Sequence, residues 1–383
     1  MIVGVPKETF PNERRVALIP AHIALLQKLG CEVVVESGAG ASAGFPDAEY
    51  QDKGATVVKK REDVFAKAEV VLQVRGYGAN PEKGKSDVKL LRSGQLVVGF
   101  MEPLLAKGEM QALAKTGATI MAMELIPRIT RAQSMDALSS MANLAGYKAV
   151  ILAADHLPKI FPMMMTAAGT IVAAKVFVVG AGVAGLQAIA TARRLGAVVQ
   201  AYDIRPAVKE QVQSLGAKFV ELELEVAEAE DKGGYAKAMD EEFYRKQREM
   251  MTRVVAESDV VITTAAVPGK KAPILITEEM VKGMPSRSVI VDLAAERGGN
   301  CELTKPGQVI EKHGVTIIGI TNLPSEVPYN ASQMYSRNLA NLLALIIKEG
   351  KMELNMEDEI IRETIVAKDG EIIHPRVKEA MAS

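Results

Sequence analysis

Three closely spaced glycines and a following acid form the pattern with the clearest chemical meaning in this chain. Gly180, Gly182 and Gly185 are arranged as G-x-G-x-x-G, and Asp203 lies eighteen positions beyond the last of them. Such glycines allow a tight turn, close approach of the main chain to a pyrophosphate, and close packing of helix on strand. A helix N-terminus beside them offers N–H groups to phosphates, and an acid placed like Asp203 accepts hydrogen bonds from ribose hydroxyls. The pattern predicts a dinucleotide-binding site.

The segments around the glycines are those that such a site requires. Lys175–Val179 is typical of a buried strand, and the Ala-rich segment from Val183 is typical of a helix that ends at a left-handed Gly196 cap. A second strand, Val198–Tyr202, leads to the acid. The alternative is a glycine-rich turn in another α/β domain, and the agreement of all these elements favours dinucleotide binding.

The acid also bears on the choice of nicotinamide cofactor. A carboxylate at Asp203 repels a 2′-phosphate, which favours NAD(H) over NADP(H). Arg205 could weaken this preference, or could be a solvated charge at a helix start. Ligands of open α/β sheets bind at the carboxyl ends of strands, which adds positions 264–267, 292–296 and 321–323 as candidates. The residues expected to contact the dinucleotide are Gly180, Gly182, Val183, Ala184, Gly185, Asp203, Ile204, Arg205, Thr264, Ala265 and Ala266.

A polar loop at residues 123–136 precedes a long predicted helix at 138–157. Arg128, Gln133 and Asp136 in this loop could hydrogen-bond a nicotinamide amide and its ribose. Equally, Asp136 or Ser134 could cap the helix that follows. The residue types leave both interpretations open.

Histidine, a common acid/base in hydride chemistry, does not occur at any of these candidate positions. The four histidines are His22, His156, His313 and His374, and none follows the carboxyl end of a predicted strand. We interpret each as a surface or helix-end residue. The sequence therefore combines a dinucleotide site with no evident proton-transfer partner.

Composition indicates a globular protein. Of 383 residues, 48% are hydrophobic and 24% charged, and a net charge of −1 argues against a nucleic-acid or anionic-membrane surface. Cys31 and Cys301 fit a reducing cytoplasm and predict neither disulfides nor a metal site. The N-terminus has no signal-peptide layout. Residues 161–186 are apolar enough to span a bilayer, but their glycines and proline favour a strand–turn–helix unit.

Alternation of strands and helices predicts an α/β fold, with two Rossmann-like domains that have parallel sheets and are joined by long helices. The expected domains are residues 1–137 with 331–383, a discontinuous N-terminal domain, and residues 138–330, which bind the dinucleotide. Strands are expected at residues 2–5, 31–36, 55–58, 69–74, 95–100, 118–122, 175–179, 198–202, 218–221, 259–266, 288–294 and 314–319. Further helices are expected at residues 20–29, 241–257, 277–283 and 332–347.

Motifs along nearly the whole chain resemble one family. They lie at residues 127–140, 143–147, 164–169, 180–189, 233–237, 268–270 and 291–295. With these motifs the chain resembles the soluble NAD(H)-binding component, domain I of the alpha subunit, of proton-translocating NAD(P) transhydrogenase, in the alanine dehydrogenase/transhydrogenase family. The run from Arg131 to Asp136 is the most specific of them.

The resemblance implies that Arg128, Gln133, Asp136 and Ser139 hold the nicotinamide end of NAD(H), the first three as catalytic residues. It also implies that Tyr235, in the irregular stretch 222–239, belongs to a mobile loop that closes over the nucleotide. Hydride would pass directly from NADH to NADP⁺ on a partner subunit, coupled to proton translocation. Since a second nicotinamide accepts the hydride, no substrate proton moves in that step, which accounts for the missing histidine.

The implied partners are a second copy of the chain, a membrane-spanning proton-channel component and an NADP(H)-binding subunit. The chain would then be cytoplasmic and peripheral on the inner membrane. Because no transmembrane helices follow its last residue, we expect a split subunit or a shortened chain.

The alternative function is that of alanine dehydrogenase. Arg15 matches the carboxylate-binding arginine of that family, but Met101 to Pro103 stand where it has its catalytic histidine. Glu296 and Arg75 stand at the positions of its catalytic aspartate and substrate lysine, and these departures count against alanine oxidation. A non-catalytic NAD(H) sensor is a third possibility, against which the retained Arg-Gln-Asp loop argues.

Overall fold

The computed structural model describes residues 1–221, 241–266 and 271–382. The chain divides into two compact units, Met1–Met141 with Ser325–Ser383 and Ala142–Pro324. Each unit is built on one large sheet. The predicted fold class is confirmed. In each unit the sheet is mainly parallel, and helices connect most successive strands of that sheet.

Strands occur in the two large sheets and in two small hairpins. In chain order they are β1 (Ile2–Val5), β2 (Glu32–Glu36), β3 (Thr56–Val58), β4 (Val70–Arg75), β5 (Leu96–Phe100), β6 (Thr119–Ala122), β7 (Met164–Thr166), β8 (Gly169–Ile171), β9 (Lys175–Val179), β10 (Val198–Tyr202), β11 (Lys218–Phe219), β12 (Val260–Thr263), β13 (Val289–Asp292), β14 (Val309–Lys312), β15 (Val315–Ile318), β16 (Ile347–Lys348), β17 (Lys351–Met352), β18 (Ile365–Lys368) and β19 (Glu371–Ile372).

The helices differ widely in length. In chain order they are α1 (Ile23–Lys28), α2 (Asp47–Asp52), α3 (Arg61–Lys67), α4 (Lys107–Ala114), α5 (Ala137–His156), α6 (Val183–Arg194), α7 (Lys209–Ser214), α8 (Glu241–Ala256), α9 (Glu278–Lys282), α10 (Pro328–Ile346), α11 (Glu359–Thr364) and α12 (Pro375–Ala382). The longest predicted helix, at residues 138–157, corresponds to α5. The helix predicted at residues 332–347 corresponds to α10. It begins at Pro328 rather than at residue 332, because proline is well suited to the first turn of a helix.

The sheet of the first unit has the order β19-β18-β6-β5-β4-β1-β2-β3. Neighbouring strands from β6 to β3 are parallel, whereas β18 runs antiparallel to β6 and to β19. Its central strands are short β-branched runs buried on both faces, as parallel sheets covered by helices require.

The sheet of the second unit has the order β11-β10-β9-β12-β13-β15-β14 and is parallel except for β14. The side chains of β9 alternate between its faces: Val176 and Val178 lie in one core with α6, and Phe177 and Val179 in another with α8. After β9 the chain adds β10 and β11 on one side and β12 on the other. Strand order therefore reverses at the carboxyl end of β9, where ligands of such sheets bind.

Several short strands were not predicted, namely β7, β8, β14 and β16 to β19. Each has two to four residues and pairs antiparallel with a neighbour, outside the alternation of strands and helices from which the other strands were predicted. Residues 161–186 do not form one helix; they contain β7, β8, β9 and the start of α6. Among the described helices, α5 is long and apolar enough to cross a bilayer, with 20 residues and a mean hydropathy of 1.2. Core helices of soluble proteins meet the same criterion, so this is weak evidence of a membrane span.

Candidate functional site

The glycine loop after β9 has the conformation that a pyrophosphate-binding turn requires. Gly180 has a φ of +98°, which favours glycine. A Cβ on Gly185 would lie 1.8 Å from the carbonyl oxygen of Gly180, so α6 can start this close to the strand only with glycine there. A Cβ on Gly182, by contrast, would meet nothing within 4 Å. The main chain is therefore open to a ligand at Gly182 and tightly packed at Gly185.

Thr264 supports this turn from the neighbouring strand. It follows β12, and its Oγ1 donates a hydrogen bond to the carbonyl oxygen of Gly180 at 3.1 Å. Its main-chain N donates to the carbonyl oxygen of Val179 at 2.9 Å. The predicted contact residues at the ends of β9 and β12 thus lie side by side in the second unit.

Asp203 ends β10 at the same edge, and its carboxylate accepts four hydrogen bonds. Oδ2 accepts from the main-chain N of Ala181 at 2.7 Å and from Arg205 Nη2 at 3.0 Å. Oδ1 accepts from Arg205 N and Nε, both at 2.9 Å. The alternative interpretation of Arg205 as a solvated charge is wrong, since its side chain is only 15% exposed and forms an ion pair with Asp203.

Asn300 is a residue of this edge that the sequence interpretation missed. It is buried, and its side chain bonds to Ala265 and Pro273, while its main-chain N donates to Asp292 Oδ2 at 2.7 Å. The signal that could have found it was the preceding pair Gly298 and Gly299, whose positive φ values of +95° and +85° mark a tight turn after β13.

Asp292 was a candidate because it ends a strand, but its carboxylate is buried and bonded within the protein. It accepts from Thr263 Oγ1 at 3.0 Å, Cys301 N at 3.0 Å and Thr304 Oγ1 at 2.6 Å, in addition to Asn300. We assign it a structural role, because these partners occupy its oxygens and hold the turn after β13.

The polar loop of the first unit contains a capped helix start. Residues Thr130–Met135 form a 3-10 helix, and Asp136 caps α5. Asp136 Oδ1 accepts from Ser139 N at 2.9 Å, and Oδ2 accepts from Ser139 Oγ at 2.5 Å. The capping interpretation thus describes Asp136, and it does not exclude ligand binding there. Arg128 and Gln133 are both exposed on this loop.

Two contacts anchor the loop from elsewhere in the first unit. The carbonyl oxygen of Ser134 accepts from Asn338 Nδ2 at 3.0 Å and Asn341 Nδ2 at 2.9 Å, both on α10. Arg131 forms a bidentate ion pair with Asp358, at 2.7 and 2.9 Å. The main chain of Gln133, which lies between these two contacts, is therefore held in place, whereas Arg128 precedes both of them.

Comparison with known proteins covers nearly the whole chain. The family described as Alanine dehydrogenase/PNT, N-terminal domain, matches residues 4–145, and Alanine dehydrogenase/PNT, C-terminal domain, matches residues 149–375. The chain belongs to the alanine dehydrogenase/PNT family.

Relatives within the alanine dehydrogenase/PNT family place the chain more narrowly. It is 49% identical over 378 residues to the first of the separate parts of NAD(P) transhydrogenase subunit alpha from Rhodospirillum rubrum, with 98% of each chain covered. A solved transhydrogenase from Sinorhizobium meliloti is 44% identical, with a TM-score of 0.85 and 98% and 99% of the two chains covered. A solved L-alanine dehydrogenase is 27% identical, with a TM-score of 0.82 and 100% and 99% covered. The resemblance predicted from the motifs is confirmed.

Arg15 and Arg75, the positions that the sequence analysis related to substrate binding in alanine dehydrogenase, belong to a network of buried charges in this chain. Arg15 and Glu13 are buried and paired, with Arg15 Nη2 2.6 Å from Glu13 Oε2. Arg75 Nε lies 3.3 Å from the same oxygen. Glu8 accepts from the main-chain N of Val74 at 2.6 Å, and withdrawal from water and the charge of Glu13 raise its pKa from 4.5 to about 7. Arg15 thus already holds a carboxylate of the chain itself.

The four histidines lie away from the carboxyl ends of the strands. His22 ends the turn Pro20–His22, His156 is the last residue of α5, and His313 precedes β15 and contacts Glu278 at 2.8 Å. His374 precedes α12 but is buried rather than on the surface. Burial lowers the pKa of His374.

Some predicted positions lie outside the described residues. These are Tyr235 with Gly233 and Gly234, the rest of the stretch 222–239, and position 267 after the end of β12.

Proposed function

We propose that this chain is the NAD(H)-binding component of a proton-translocating NAD(P) transhydrogenase, passing hydride directly between NADH and NADP⁺ on a partner subunit. The main support is the open glycine loop at the reversal of strand order, in a chain 49% identical over 378 residues to a separate part of NAD(P) transhydrogenase subunit alpha. The domain division into residues 1–137 with 331–383 and 138–330 remains part of this proposal.

The second unit would bind the adenosine and pyrophosphate. The open side of Gly182 fits a pyrophosphate, because nothing lies where a side chain would be. The first turn of α6, with Val183 and Ala184, has main-chain N–H groups that no helix carbonyl accepts. Asp203 and Ile204 would contact the ribose, and Tyr235 would cover the cofactor.

The polar loop of the first unit would orient the nicotinamide. Arg128, Gln133, Asp136 and Ser139 offer a cation, an amide, a carboxylate and a hydroxyl, which suit a carboxamide and a ribose. NAD(H) supplies the hydride chemistry when bound. The residues of the chain would exclude water and fix the ring, because effective transfer needs reacting atoms about 3–3.5 Å apart. A proton-accepting residue is not needed for this step.

Within the second unit, an exposed apolar surface supports a homodimer. The hairpin of β7 and β8 carries Met165, 74% exposed, and is flanked by Met163 at 61% and Val172 at 64%. Contiguous exposed apolar surface commonly marks an interface, and a second copy is the commonest partner. Met165→Glu with Val172→Glu should shift sedimentation to the monomer. An unchanged dimer would place the interface elsewhere.

The remaining partners would be the membrane-spanning proton-channel component and the NADP(H)-binding subunit. Through them the chain would lie on the cytoplasmic side of the inner membrane. Support comes from the names of the relatives, which describe one part of a subunit alpha and so indicate further parts and subunits.

The decisive experiment measures hydride transfer from NADH to an NADP analogue in a stopped-flow instrument, with and without the NADP(H)-binding subunit. Transfer should occur only in the mixture. NAD⁺ reduction by L-alanine without the subunit would instead support alanine dehydrogenase. NADH binding with no transfer in the mixture would support a sensor.

A further inference from the structure

We propose that Arg205 is a specificity-determining residue that competes with the adenosine ribose for Asp203. In the structure its guanidinium fills positions on the carboxylate that a 2′,3′-diol would use. The inference rests on the proposed NAD(H) site, but it concerns how that site ranks NADH and NADPH.

Counting the hydrogen bonds of Asp203 leads to this competition. A carboxylate offers about four lone-pair positions. Two are taken by main-chain donors, Ala181 N at 2.7 Å and Arg205 N at 2.9 Å. The other two are taken by the guanidinium, through Nε at 2.9 Å and Nη2 at 3.0 Å. The main-chain donors are fixed by the glycine loop and the turn after β10. A diol can therefore reach both carboxylate oxygens only if the guanidinium moves.

The ion pair is strong enough for this competition to matter. The side chains of Asp203 and Arg205 are 7% and 15% exposed, so water screens them weakly. Two parallel N–H···O bonds from a planar guanidinium are among the stronger side-chain contacts. Binding of NADH must break these two bonds, which lowers its affinity. Without the guanidinium, Asp203 would keep its two main-chain donors and have two positions for the ribose hydroxyls.

The same arginine would act in the opposite direction on NADPH. A displaced guanidinium stays beside the ribose, where the 2′-phosphate of NADPH would lie. An arginine at such a place accommodates a 2′-phosphate, while the carboxylate repels it. Arg205 therefore reduces the ratio of NADH affinity to NADPH affinity, because it weakens the binding of NADH and strengthens the binding of NADPH.

The test compares dissociation constants of NADH and NADPH for the unaltered chain and for Arg205→Ala, by titration calorimetry. Arg205→Ala should bind NADH at least about threefold more tightly and NADPH at least about threefold more weakly. Arg194→Ala is the matched control: it removes one exposed positive charge of α6 that does not contact Asp203, and should change both constants about equally. Arg205→Gln provides a second variant, and thermal unfolding confirms that each is folded.

Three outcomes are distinguishable. Opposite shifts for the two nucleotides support the competition. Weaker binding of both nucleotides by Arg205→Ala, with tight NADH binding by the unaltered chain, overturns it and indicates that the guanidinium stacks on the adenine instead. Absence of NADH binding by the unaltered chain contradicts the proposed function itself.

Discussion

Asn300 and Ala265 hydrogen-bond to each other through both donor and acceptor. Asn300 Nδ2 donates to the carbonyl oxygen of Ala265 at 2.8 Å, and Ala265 N donates to Asn300 Oδ1 at 3.0 Å. The same Nδ2 donates to the carbonyl oxygen of Pro273 at 2.9 Å. One buried amide thus fixes the main chain after β12. It also occupies the main-chain N–H of Ala265 and one of the two acceptor positions of its carbonyl oxygen.

We expect Asn300→Asp to lower the free energy of unfolding by about 2–4 kcal/mol. The substitution keeps the shape but places an oxygen against the carbonyl oxygens of Ala265 and Pro273, so these two part-buried acceptors lose their donor and face a further acceptor. Urea unfolding measures the change. Asn355→Asp is the control: that residue is exposed, its Oδ1 accepts from Glu357 N, and the variant should differ by less than about 0.5 kcal/mol. Equal effects of the two substitutions would contradict the assigned role of Asn300.

Substitutions at two glycines of the loop should separate binding from folding. Gly182 has φ −74° and ψ −169°, which alanine adopts, and its side is open. Gly182→Ala should therefore leave stability within about 1 kcal/mol. It should weaken NADH binding at least about tenfold, because a methyl group would meet the pyrophosphate.

Gly185→Ala, unlike Gly182→Ala, should act mainly on stability. Its Cβ would lie 1.8 Å from the carbonyl oxygen of Gly180, so strand and helix must separate. We expect a loss of about 1–3 kcal/mol of stability or more. Thermal unfolding and NADH fluorescence titration measure both properties. Normal NADH affinity of Gly182→Ala would show that the cofactor does not approach the main chain there.

Gln133→Asn should slow hydride transfer with little effect on NADH affinity. Gln133 is exposed, and the flanking Ser134 and Arg131 are anchored by α10 and Asp358, so the main chain should not move. The amide is kept but reaches one methylene less far. We expect transfer to NADP to slow at least about tenfold, about 1.4 kcal/mol in the barrier, and NADH affinity to change by less than about 1 kcal/mol.

Stopped-flow measurement with the NADP(H)-binding subunit tests this effect. Gln51→Asn, the same change on the exposed side of α2, is the control and should transfer at the rate of the unaltered chain. A Gln133→Asn variant with that same rate would leave Gln133 as a loop residue without a role in transfer.

Glu124 should make stability depend on pH. Withdrawal from water and the charge of Glu102 raise its pKa from 4.5 to about 7. Between these values the folded carboxyl keeps a proton that the unfolded chain releases, so stability falls as pH rises through this window, by up to about 1.4 kcal/mol per pH unit. Glu124→Gln should remove this slope. Glu8, whose pKa is also raised to about 7, should still make the stability of that variant fall as pH rises.

Urea unfolding at pH 5 and pH 7.5 provides the measurement. The Gln variant keeps the oxygen that accepts from Met101 N at 2.8 Å, and any cost of its amide nitrogen is the same at both pH values. The free energy of unfolding of the variant minus that of the unaltered chain should therefore be more positive at pH 7.5 than at pH 5. An equal difference at both pH values would show that Glu124 does not titrate in this range.

Elements and motifs that depend on neighbouring residues could be predicted from the sequence. β9, the glycine loop, α6 and β10 were predicted at their observed positions, because a β-branched run, a left-handed glycine and an Ala-rich helix are recognisable within a few residues. The family and the fold class were also evident from sequence, and the side chains proposed to contact the nicotinamide follow from one short run, 128–139.

Contacts between groups that are far apart in the chain could not be predicted without the three-dimensional fold. Asn300 and Ala265 are 35 residues apart, and no local pattern indicates that they bond. β18 joins the first sheet beside β6, from the opposite end of the chain, through main-chain hydrogen bonds that most residue types can make. Arg205 is two residues from Asp203, yet their pairing depends on side-chain rotamers and on the burial that the packed sheet imposes. Such contacts arise from packing, whereas secondary structure arises largely from local conformational preference.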